Sequence, residues 1–391
     1  MTKKKILLVH NFYQIGGGEH TVFENEKNLL LESGHEVITY TRSNDELKTS
    51  KRKLLMMPFT TSWSWKTFFE VKRIICENGI DIVHCHNTFP LISPSVYYAA
   101  RSLEIPVVQT IHNFRFLCPN GLFYCDGKIC EQCRAKKTFI PALKHGCYRN
   151  SKIQTAVVTM MLTLHRWLGT YQKINYIFLT EFNKRKFSEL IDISGENVFV
   201  KPNFAKKLGT QKTETPAGSK FLFIGRLDEN KGIDFLLHTW PLLPEHYELH
   251  IYGDGKYEAE CREKASLYKN IQYLGFRPRE EIADDLADAT ALLFPSTVYE
   301  TFGMTWVESF SMGRPVVASD LGNHGELVRL AKGGALYEVG NKDSFAHALQ
   351  DVIANNTEYS GNAVAFYNEF LTETTNYEKL SEIYDKAKHI R

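Results

Sequence analysis

The chain has 391 residues, about twice the length of a typical domain, so we expect two domains. Hydrophobic residues make up 43% of it and charged residues 24%, which excludes a disordered or fibrous protein. No apolar run approaches the roughly 20 residues that cross a bilayer, and the stretch after the basic start is too short for a secretory signal, so a cytoplasmic protein is expected.

The nearly neutral net charge conceals an asymmetry between the two halves. Residues 1–200 hold 26 Lys and Arg against 17 Asp and Glu, whereas the remainder holds 21 against 28. Residues 132–180 contain eight Lys and Arg and no acidic residue. No zinc-finger, RNP-like or base-reading helical pattern accompanies this basicity, so we expect no nucleic acid partner. An anionic membrane surface or a phosphorylated substrate fits better.

Strand-like and helix-like segments alternate along the chain, which predicts α/β architecture with parallel sheets. A first series of strands is expected at 6–9, 37–40, 80–84 and 106–111, with a helix over about 21–33. A second series is expected at 221–224, 248–252, 271–274, 291–294 and 315–319. Between the two series, residues 206–219 are polar and contain Gly and Pro, as linkers do. We therefore predict two successive Rossmann-like domains.

Each predicted domain opens with a strand followed by a glycine-containing loop. The first loop carries Gly16, Gly17 and Gly18, which is not the G-x-G-x-x-G fingerprint of dinucleotide binding. It is either a tight turn or a close approach to an anion at a helix N-terminus, and we favour the second. The second loop carries Arg226 and Lys231, which are either solvated surface charges or a cation pair that neutralises a diphosphate.

Two carboxylates follow the predicted strand 291–294. Glu300 lies in the loop after that strand and Glu308 lies within the next helix, with the backbone of residues 302–304 between them. A helix N-terminus between two carboxylates suits a nucleotide-sugar, whose phosphate and sugar hydroxyls need different partners. The bare spacing also occurs by chance, so this interpretation depends on its context.

That context resembles the retaining family-4 glycosyltransferases of GT-B fold, in which two Rossmann-like domains face across a cleft. The resemblance covers nearly the whole chain and suggests a bacterial polysaccharide or glycoconjugate type with a cysteine-bearing insertion in the N-terminal domain. It rests on these segments: 16–19, 81–84, 110–112, 225–232, 273–276, 293–296, 300–303, Glu308, 313–318 and 325–328. Residues 322–325 read Gly-Asn-His-Gly and depart from the commoner Gly-Gly-x-Glu form.

The resemblance implies a role for each matching residue. It gives Glu300 contact with the transferred sugar, Glu308 the ribose hydroxyls, and Arg226 and Lys231 the diphosphate leaving group. His112 is expected near the reaction centre. The donor site is completed by the following residues: Gly17, Gly18, Phe302, Gly303 and Met304. No catalytic metal is implied, and no Asp-x-Asp motif follows a strand.

The expected activity is that of a retaining hexosyltransferase. It would use a UDP- or GDP-sugar donor and a glycan or lipid-linked acceptor, on the inner face of a membrane. We expect an acceptor domain over 1–204, a donor domain over 205–370, and a helix within 371–391 that returns to the first domain. A GT-B-type nucleotide-sugar epimerase and a non-catalytic sugar-binding or zinc-scaffold protein remain alternatives. The missing fingerprint disfavours a dehydrogenase.

Five of the eight cysteines fall between residues 118 and 147. Cys118, Cys130, Cys133 and Cys147 have spacing compatible with a structural zinc site, with Cys125 left over. Free thiols in a packed loop and a redox role are the alternatives, while a cytoplasmic location disfavours disulfides.

Apolar residues recur with helical periodicity from Ile153 to Leu168, inside the acid-free basic stretch. Core packing in the first domain is the simpler interpretation of this helix. The alternative is docking on an anionic membrane through the basic residues nearby: Arg149, Lys152, Arg166 and Lys173.

Overall fold

The computed structural model describes residues 3–14, 17–47, 51–211, 216 and 219–390, with the side chains of 51–55 left out. Gly16 and part of the expected linker, residues 212–215 and 217–218, lie outside this description. The chain divides into two compact units. Unit 1 comprises 1–125, 130–203 and 376–391, and unit 2 comprises 126–129 and 204–375.

Unit 1 contains a six-stranded parallel sheet in the order β2-β1-β3-β4-β7-β8. The strands up to β8 are β1 (Lys5–Phe12), β2 (Glu36–Ser43), β3 (Ile82–Asn87), β4 (Val107–Ile111), β5 (Tyr124–Cys125), β6 (Lys128–Ile129), β7 (Asn175–Phe178) and β8 (Val198–Val200). The helices are α1 (Gly18–Glu32), α2 (Lys51–Ser62), α3 (Trp65–Asn78), α4 (Ser95–Arg101), α5 (Gln132–Ala135), α6 (Ile140–His145), α7 (Lys152–Trp167) and α8 (Glu181–Lys186). The two-residue strands β5 and β6 form a separate two-stranded sheet.

Unit 2 repeats this plan, with a parallel sheet in the order β11-β10-β9-β12-β13-β14. Its strands are β9 (Ser219–Ile224), β10 (Tyr247–Tyr252), β11 (Ile271–Gly275), β12 (Ala291–Phe294), β13 (Val316–Ser319) and β14 (Gly334–Tyr337). Its helices are α9 (Ile233–Thr239), α10 (Glu258–Leu267), α11 (Arg279–Ala287), α12 (Met304–Ser311), α13 (Gly322–Ala331), α14 (Lys342–Ala354) and α15 (Asn356–Phe366). Helix α16 (Glu373–Lys386) then enters unit 1.

Both sheets are doubly wound, which confirms the predicted fold class. In unit 1, β2 pairs on one side of β1, and β3 pairs on its other side. In unit 2, β10 and β12 flank β9 in the same way. Ligands of such sheets bind at the carboxyl ends of the strands where the winding reverses. The loops after β1 and β3 in unit 1, and after β9 and β12 in unit 2, therefore lie where such sheets bind ligands.

Complete burial of the central strands fixes these loops in place. Residues 6–9 of β1 and 221–222 of β9 have no solvent exposure, because helices cover both faces of each sheet. Helix α16 packs its Leu380 into the cluster formed by Leu8, Phe23 and their neighbours in unit 1. Within the described residues, no helix has the length and apolarity required to cross a membrane.

Candidate active site

In unit 2, the loops after β9 and β12 are packed so closely that one position requires glycine. Gly232 has a φ of +73°, and a Cβ there would lie 2.0 Å from the carbonyl oxygen of Pro295. Nearby, the Thr297 amide donates to the Asn230 carbonyl at 3.1 Å. This contact places the lysine of the first loop beside the carboxylate of the second.

Glu300 is the largely buried acid at this junction, with its side chain 15% exposed. Its Oε1 accepts hydrogen bonds from Lys231 Nζ at 2.5 Å and from Ser296 Oγ at 2.8 Å. Burial acts to raise the pKa of Glu300, but Lys231 and Ser296 more than offset this and hold the pKa below its usual range. The carboxylate is therefore ionised at neutral pH.

Helix α12 begins at Met304, four residues after Glu300, with Gly303 as its N-cap at a φ of +94°. A Cβ on Gly303 would lie 2.7 Å from the Phe294 ring. The Trp306 indole donates to the Phe302 carbonyl at 2.7 Å, which holds this turn. The amides of Gly303 and Met304 belong to the first helical turn, where N–H groups favour anions.

Glu308 lies one turn further along α12 and is 6% exposed. Its Oε1 accepts a hydrogen bond from Arg279 Nε at 3.0 Å, whereas its Oε2 is buried with no hydrogen-bond partner among the described residues. Burial raises the pKa of Glu308 in spite of Arg279. A buried carboxylate oxygen without a donor is available to a ligand hydroxyl.

Arg226 is arranged differently from Lys231. Its guanidinium pairs with Asp228 on the same loop, and its side chain is 51% exposed. Both cations of this loop therefore already contact carboxylates, Arg226 at the surface and Lys231 in a half-buried position. An incoming diphosphate would have to exchange with these partners.

In unit 1, a cavity of about 40 Å³ opens where β3 and β4 end. His86, His112, Asn113 and Arg115 provide much of its polar lining, and Phe89 and Met161 contribute apolar surface. This mixture of ring, amide and guanidinium groups can bind a polar ligand with an apolar face.

His112 is held in the neutral form within this cavity. Its Nε2 lies 2.9 Å from His86 Nδ1, and the two rings stack with centroids 5.1 Å apart. Burial, with His86 and His10 nearby, keeps the pKa of His112 well below its usual range. Behind His86 lies Glu26, which forms a buried ion pair with Lys201 at 2.9 Å.

In the glycine loop of unit 1, Gly17 and Gly18 are exposed. A Cβ added to Gly17 would have no atom within 4 Å among the described residues apart from its chain neighbours. Gly17 is the N-cap of α1 with extended backbone, so it needs no positive φ. The next residue, Glu19, accepts a long hydrogen bond of 3.4 Å from Asn113. Burial, only partly offset by Arg115, raises the pKa of Glu19 to about 7.

The cysteines of the expected zinc site surround a different cavity, although Cys118 follows Arg115 by only three residues. Cys118, Cys130, Cys133 and Cys147 line it together with Cys125. All eight cysteines of the chain carry free thiols in this structure.

Sequence reasoning missed four groups that the structure places in or behind the site. Arg279 is paired with Glu308, His324 faces Glu300, and Glu26 with Lys201 supports His86. Arg279 begins α11 within an acidic segment, and nothing in that segment indicates a site. His324 lies in the segment 322–325, whose departure from the family pattern could have indicated a role for it.

Comparison with known families assigns both halves of the chain. Residues 15–140 match the family described as Glycosyltransferase Family 4, and residues 218–355 match Glycosyl transferases group 1. The chain belongs to the family-4 glycosyltransferases of GT-B fold. The earlier resemblance is thereby confirmed, and the second match contains all of the candidate residues in unit 2.

Curated relatives are similar at moderate identity. An uncharacterized glycosyltransferase of Methanocaldococcus jannaschii is 24% identical over 83% of this glycosyltransferase and 82% of its own length. The phosphatidyl-myo-inositol mannosyltransferase of Mycobacterium leprae is 32% identical, over 35% of this chain and 38% of its own. The lipopolysaccharide 1,6-galactosyltransferase of Salmonella typhimurium is 28% identical, over 36% and 41%.

Solved structures share the fold over almost the full length. The lipopolysaccharide outer core galactosyltransferase WaaB in its apo form has a TM-score of 0.64 at 18% identity, covering 97% of this glycosyltransferase and 98% of that chain. HepE of Anabaena in complex with UDP has a TM-score of 0.66 at 17% identity, covering 97% and 99%.

Proposed function

We propose that this glycosyltransferase moves a hexose, with retention of configuration, from a nucleotide-sugar to a glycan or lipid-linked acceptor. The product would be a surface polysaccharide or another glycoconjugate. Relatives named for lipopolysaccharide and phosphatidyl-inositol glycosylation support this acceptor class. The solved complexes of HepE with UDP and UDP-glucose support a UDP-sugar as the first donor to test, with a GDP-sugar as the second.

The observation that carries the proposal is the pair of unlike carboxylates in unit 2. Glu300 is ionised beside Lys231, whereas Glu308 keeps one buried oxygen without a hydrogen-bond donor. A ribose supplies hydroxyl donors for the Glu308 oxygen. A sugar that develops positive charge at its anomeric carbon is stabilised by the Glu300 carboxylate.

Departure of the nucleoside diphosphate requires positive charge near its phosphates. We assign this role to Lys231, Arg226 and the amides of Gly303 and Met304, without a catalytic metal. Gly17 and Gly18 would complete the donor site, and His112, neutral and held by His86, would bind near the reacting sugar as a hydrogen-bonding group. The cavity in unit 1 would take the acceptor.

The test is nucleotide binding to wild type, Glu308→Gln and Glu281→Gln. Glu281 pairs with Arg277 near the start of α11, at the surface, and serves as a matched control. We expect UDP or GDP to raise the melting temperature of wild type and Glu281→Gln, and to raise that of Glu308→Gln much less. A ligand at 100 times its dissociation constant stabilises by about 2.7 kcal/mol.

The reaction itself is tested by incubating the protein with the donor that binds and with lipid-linked acceptors. NMR of the product would give the anomeric configuration. A product of inverted configuration, or an epimerised sugar without any acceptor, would refute the proposed reaction. Stabilisation by NAD alone would refute the donor class.

We further propose that the protein works on an anionic membrane surface through α7. This helix buries Val157, Val158 and Met161 but exposes a second apolar stripe. Ile153 is 79% and Trp167 is 80% exposed on that stripe. Basic residues border its N-terminus, as anionic headgroups require.

A further inference from the structure

A second cavity in unit 1, separate from the candidate active site, is lined by sulfur. Its volume is about 10 Å³, close to that of one bound water or ion, and five of the chain's eight cysteines surround it. His145 is also part of the lining. Clustered cysteines of this kind need either oxidation to disulfides or a metal to hold them, unless they are simply packed thiols.

The five thiols lie around this one cavity and influence one another electrostatically. Cys118 interacts electrostatically with Cys130, and Cys133 interacts with both of them. Cys147 joins the group through Cys118 and Cys133. Cys125 hydrogen-bonds with Cys147, and its sulfur lies within 4.8 Å of a ring nitrogen of His145. Cys125 is thus linked to the other thiols through Cys147, and it is the sequence spacing that singles out Cys118, Cys130, Cys133 and Cys147 as a set.

Backbone amides around Cys118 point at its sulfur. Those of Asn120, Gly121 and Phe123 hydrogen-bond to it, with Gly121 at a φ of +80°. The Ala142 backbone makes a similar bond to Cys133. Both sulfurs belong to cysteines that line the cavity.

The surrounding segment buries Phe114 and Phe123 but has only short elements of regular structure. Strands β5 and β6 have two residues each, and helices α5 and α6 have four and six. Helices of this length are not stable by themselves in water. Small loop-rich segments commonly acquire stability from a bound metal, whose binding energy becomes folding energy.

Local charge also suits a metal–thiolate centre. Four thiolates around a divalent cation carry a net charge of −2, after four thiol protons have been released to solvent. The acid-free stretch 132–180, with eight Lys and Arg, begins within this segment and supplies compensating positive charge.

We propose that unit 1 binds one structural Zn²⁺ through Cys118, Cys130, Cys133 and Cys147. Tetrahedral coordination by four cysteines is the usual closed form of a structural zinc site. The ion would link the turn at Cys118 to helices α5 and α6 and so order the chain between β4 and α7. Cys125 and His145 would lie outside the first coordination sphere.

The test is elemental analysis of the full-length protein, purified from zinc-supplemented medium without chelators. We expect one zinc per chain in wild type and in Cys125→Ser, and at least a tenfold lower zinc content in Cys133→Ser. Cys261→Ser, which removes a buried thiol of unit 2, is the matched control and should keep its zinc.

A second measurement covers the case in which Cys133→Ser does not fold. Wild type is titrated with a mercurial while a colorimetric chelator reports released zinc, and the zinc should appear as four thiols are modified. Cobalt exchanged into the site should show the charge-transfer and d–d absorption of tetrahedral thiolate coordination. Absence of zinc from wild type, an iron–sulfur chromophore, or equal loss of zinc in Cys125→Ser would overturn the proposal.

Discussion

Lys231 has two tasks that conflict, because the same ammonium group that would hold a diphosphate keeps Glu300 ionised. Its Nζ lies 2.5 Å from Glu300 Oε1, inside the unit and largely shielded from solvent. When the donor enters, this charge must serve both a carboxylate and a phosphate. The site would thereby couple donor binding to the electrostatics of the sugar-binding carboxylate.

Replacement of Lys231 by Met should lower kcat by about 100- to 1,000-fold, the usual effect of losing one charge-stabilising donor. Burial would then dominate and raise the pKa of Glu300, so the remaining activity should decrease as the pH is lowered. Lys220→Met is the control, since Lys220 pairs with Asp285 in the same unit, also at 2.5 Å. Unchanged kcat in Lys231→Met would exclude the proposed role.

At this scale the sequence predicted residue types better than partners. Glu300, Glu308 and Lys231 were identifiable because each follows a strand or begins a helix in a recognisable pattern. Arg279 could not be, since its contact with Glu308 spans 29 residues and depends on how α11 packs against α12. The same reason hid the Glu26–Lys201 pair, which is 175 residues apart.

For helix α7, core packing and membrane docking were the two alternative predictions. The structure shows a buried face that fits the first and an exposed apolar face that fits the second. Val157 and Met161 are buried in unit 1, as core packing requires, while the stripe from Ile153 to Trp167 is exposed. One of the basic residues expected to face lipid is used internally: Arg166 donates to the Phe116 carbonyl at 2.6 Å.

The double variant Ile153→Ser/Trp167→Ser should lose affinity for phosphatidylglycerol vesicles by at least about tenfold, because each exposed side chain would otherwise bury apolar surface in the headgroup region. Co-sedimentation at low and high salt measures this, and salt should weaken wild-type binding. Leu267→Ser, an apolar position on α10 that is 63% exposed, should bind like wild type. Equal binding of all three proteins would refute docking through α7.

Short elements were the least predictable from sequence. Strands β7, β8 and β14 have three or four residues, and none of them was expected. β8 and β14 are edge strands, and β7 lies next to β8. Their assignment depends on tertiary pairing, which local periodicity does not encode.

For the molecule as a whole, buried neutral histidines should make the fold sensitive to acid. Burial lowers the pKa of His10 and His84 to about 3 and that of His324 to about 4. The unfolded chain takes up protons below about pH 6.5 that the folded chain refuses, so the free energy of unfolding decreases as the pH falls. At pH 5, one histidine with a folded pKa near 3 contributes about 2 kcal/mol to this loss.

His10→Phe tests the acid sensitivity with little change in shape. The His10 ring stacks on Phe23 with centroids 4.7 Å apart, and its Nδ1 has no hydrogen-bond partner in the described structure. The variant should lose less stability than wild type between pH 7 and pH 5 in urea unfolding experiments. Identical pH dependence in the two proteins would contradict this account.

Unit 1 is closed by a segment that lies beyond unit 2 in the sequence. The Asn376 side chain accepts a hydrogen bond from Lys201 at 2.9 Å, and the Tyr384 hydroxyl lies 2.7 Å from His84 Nδ1. Leu380 has no solvent exposure. Helix α16 thus supplies both polar partners and core to a sheet built almost 300 residues earlier.

Leu380→Ala should destabilise unit 1 by about 2–5 kcal/mol, the usual effect of removing a buried leucine side chain. Hydrogen exchange should then become faster in β1 and β3 and stay unchanged in the strands of unit 2. Glu382→Ala, on the exposed side of the same helix, is the control and should have little effect. Faster exchange throughout unit 2 would show that the two units do not unfold separately.

This arrangement has a consequence for synthesis on the ribosome. Translation delivers β1 to β8 first, yet Lys201 and His84 each gain one further partner from α16 only after all of unit 2 has been made. Unit 2 is therefore the first part of the nascent chain that can complete its own fold. Until then, the apolar groove on unit 1 that α16 will cover remains open to chaperones, and a messenger interrupted before codon 376 would yield one finished unit and one unfinished one.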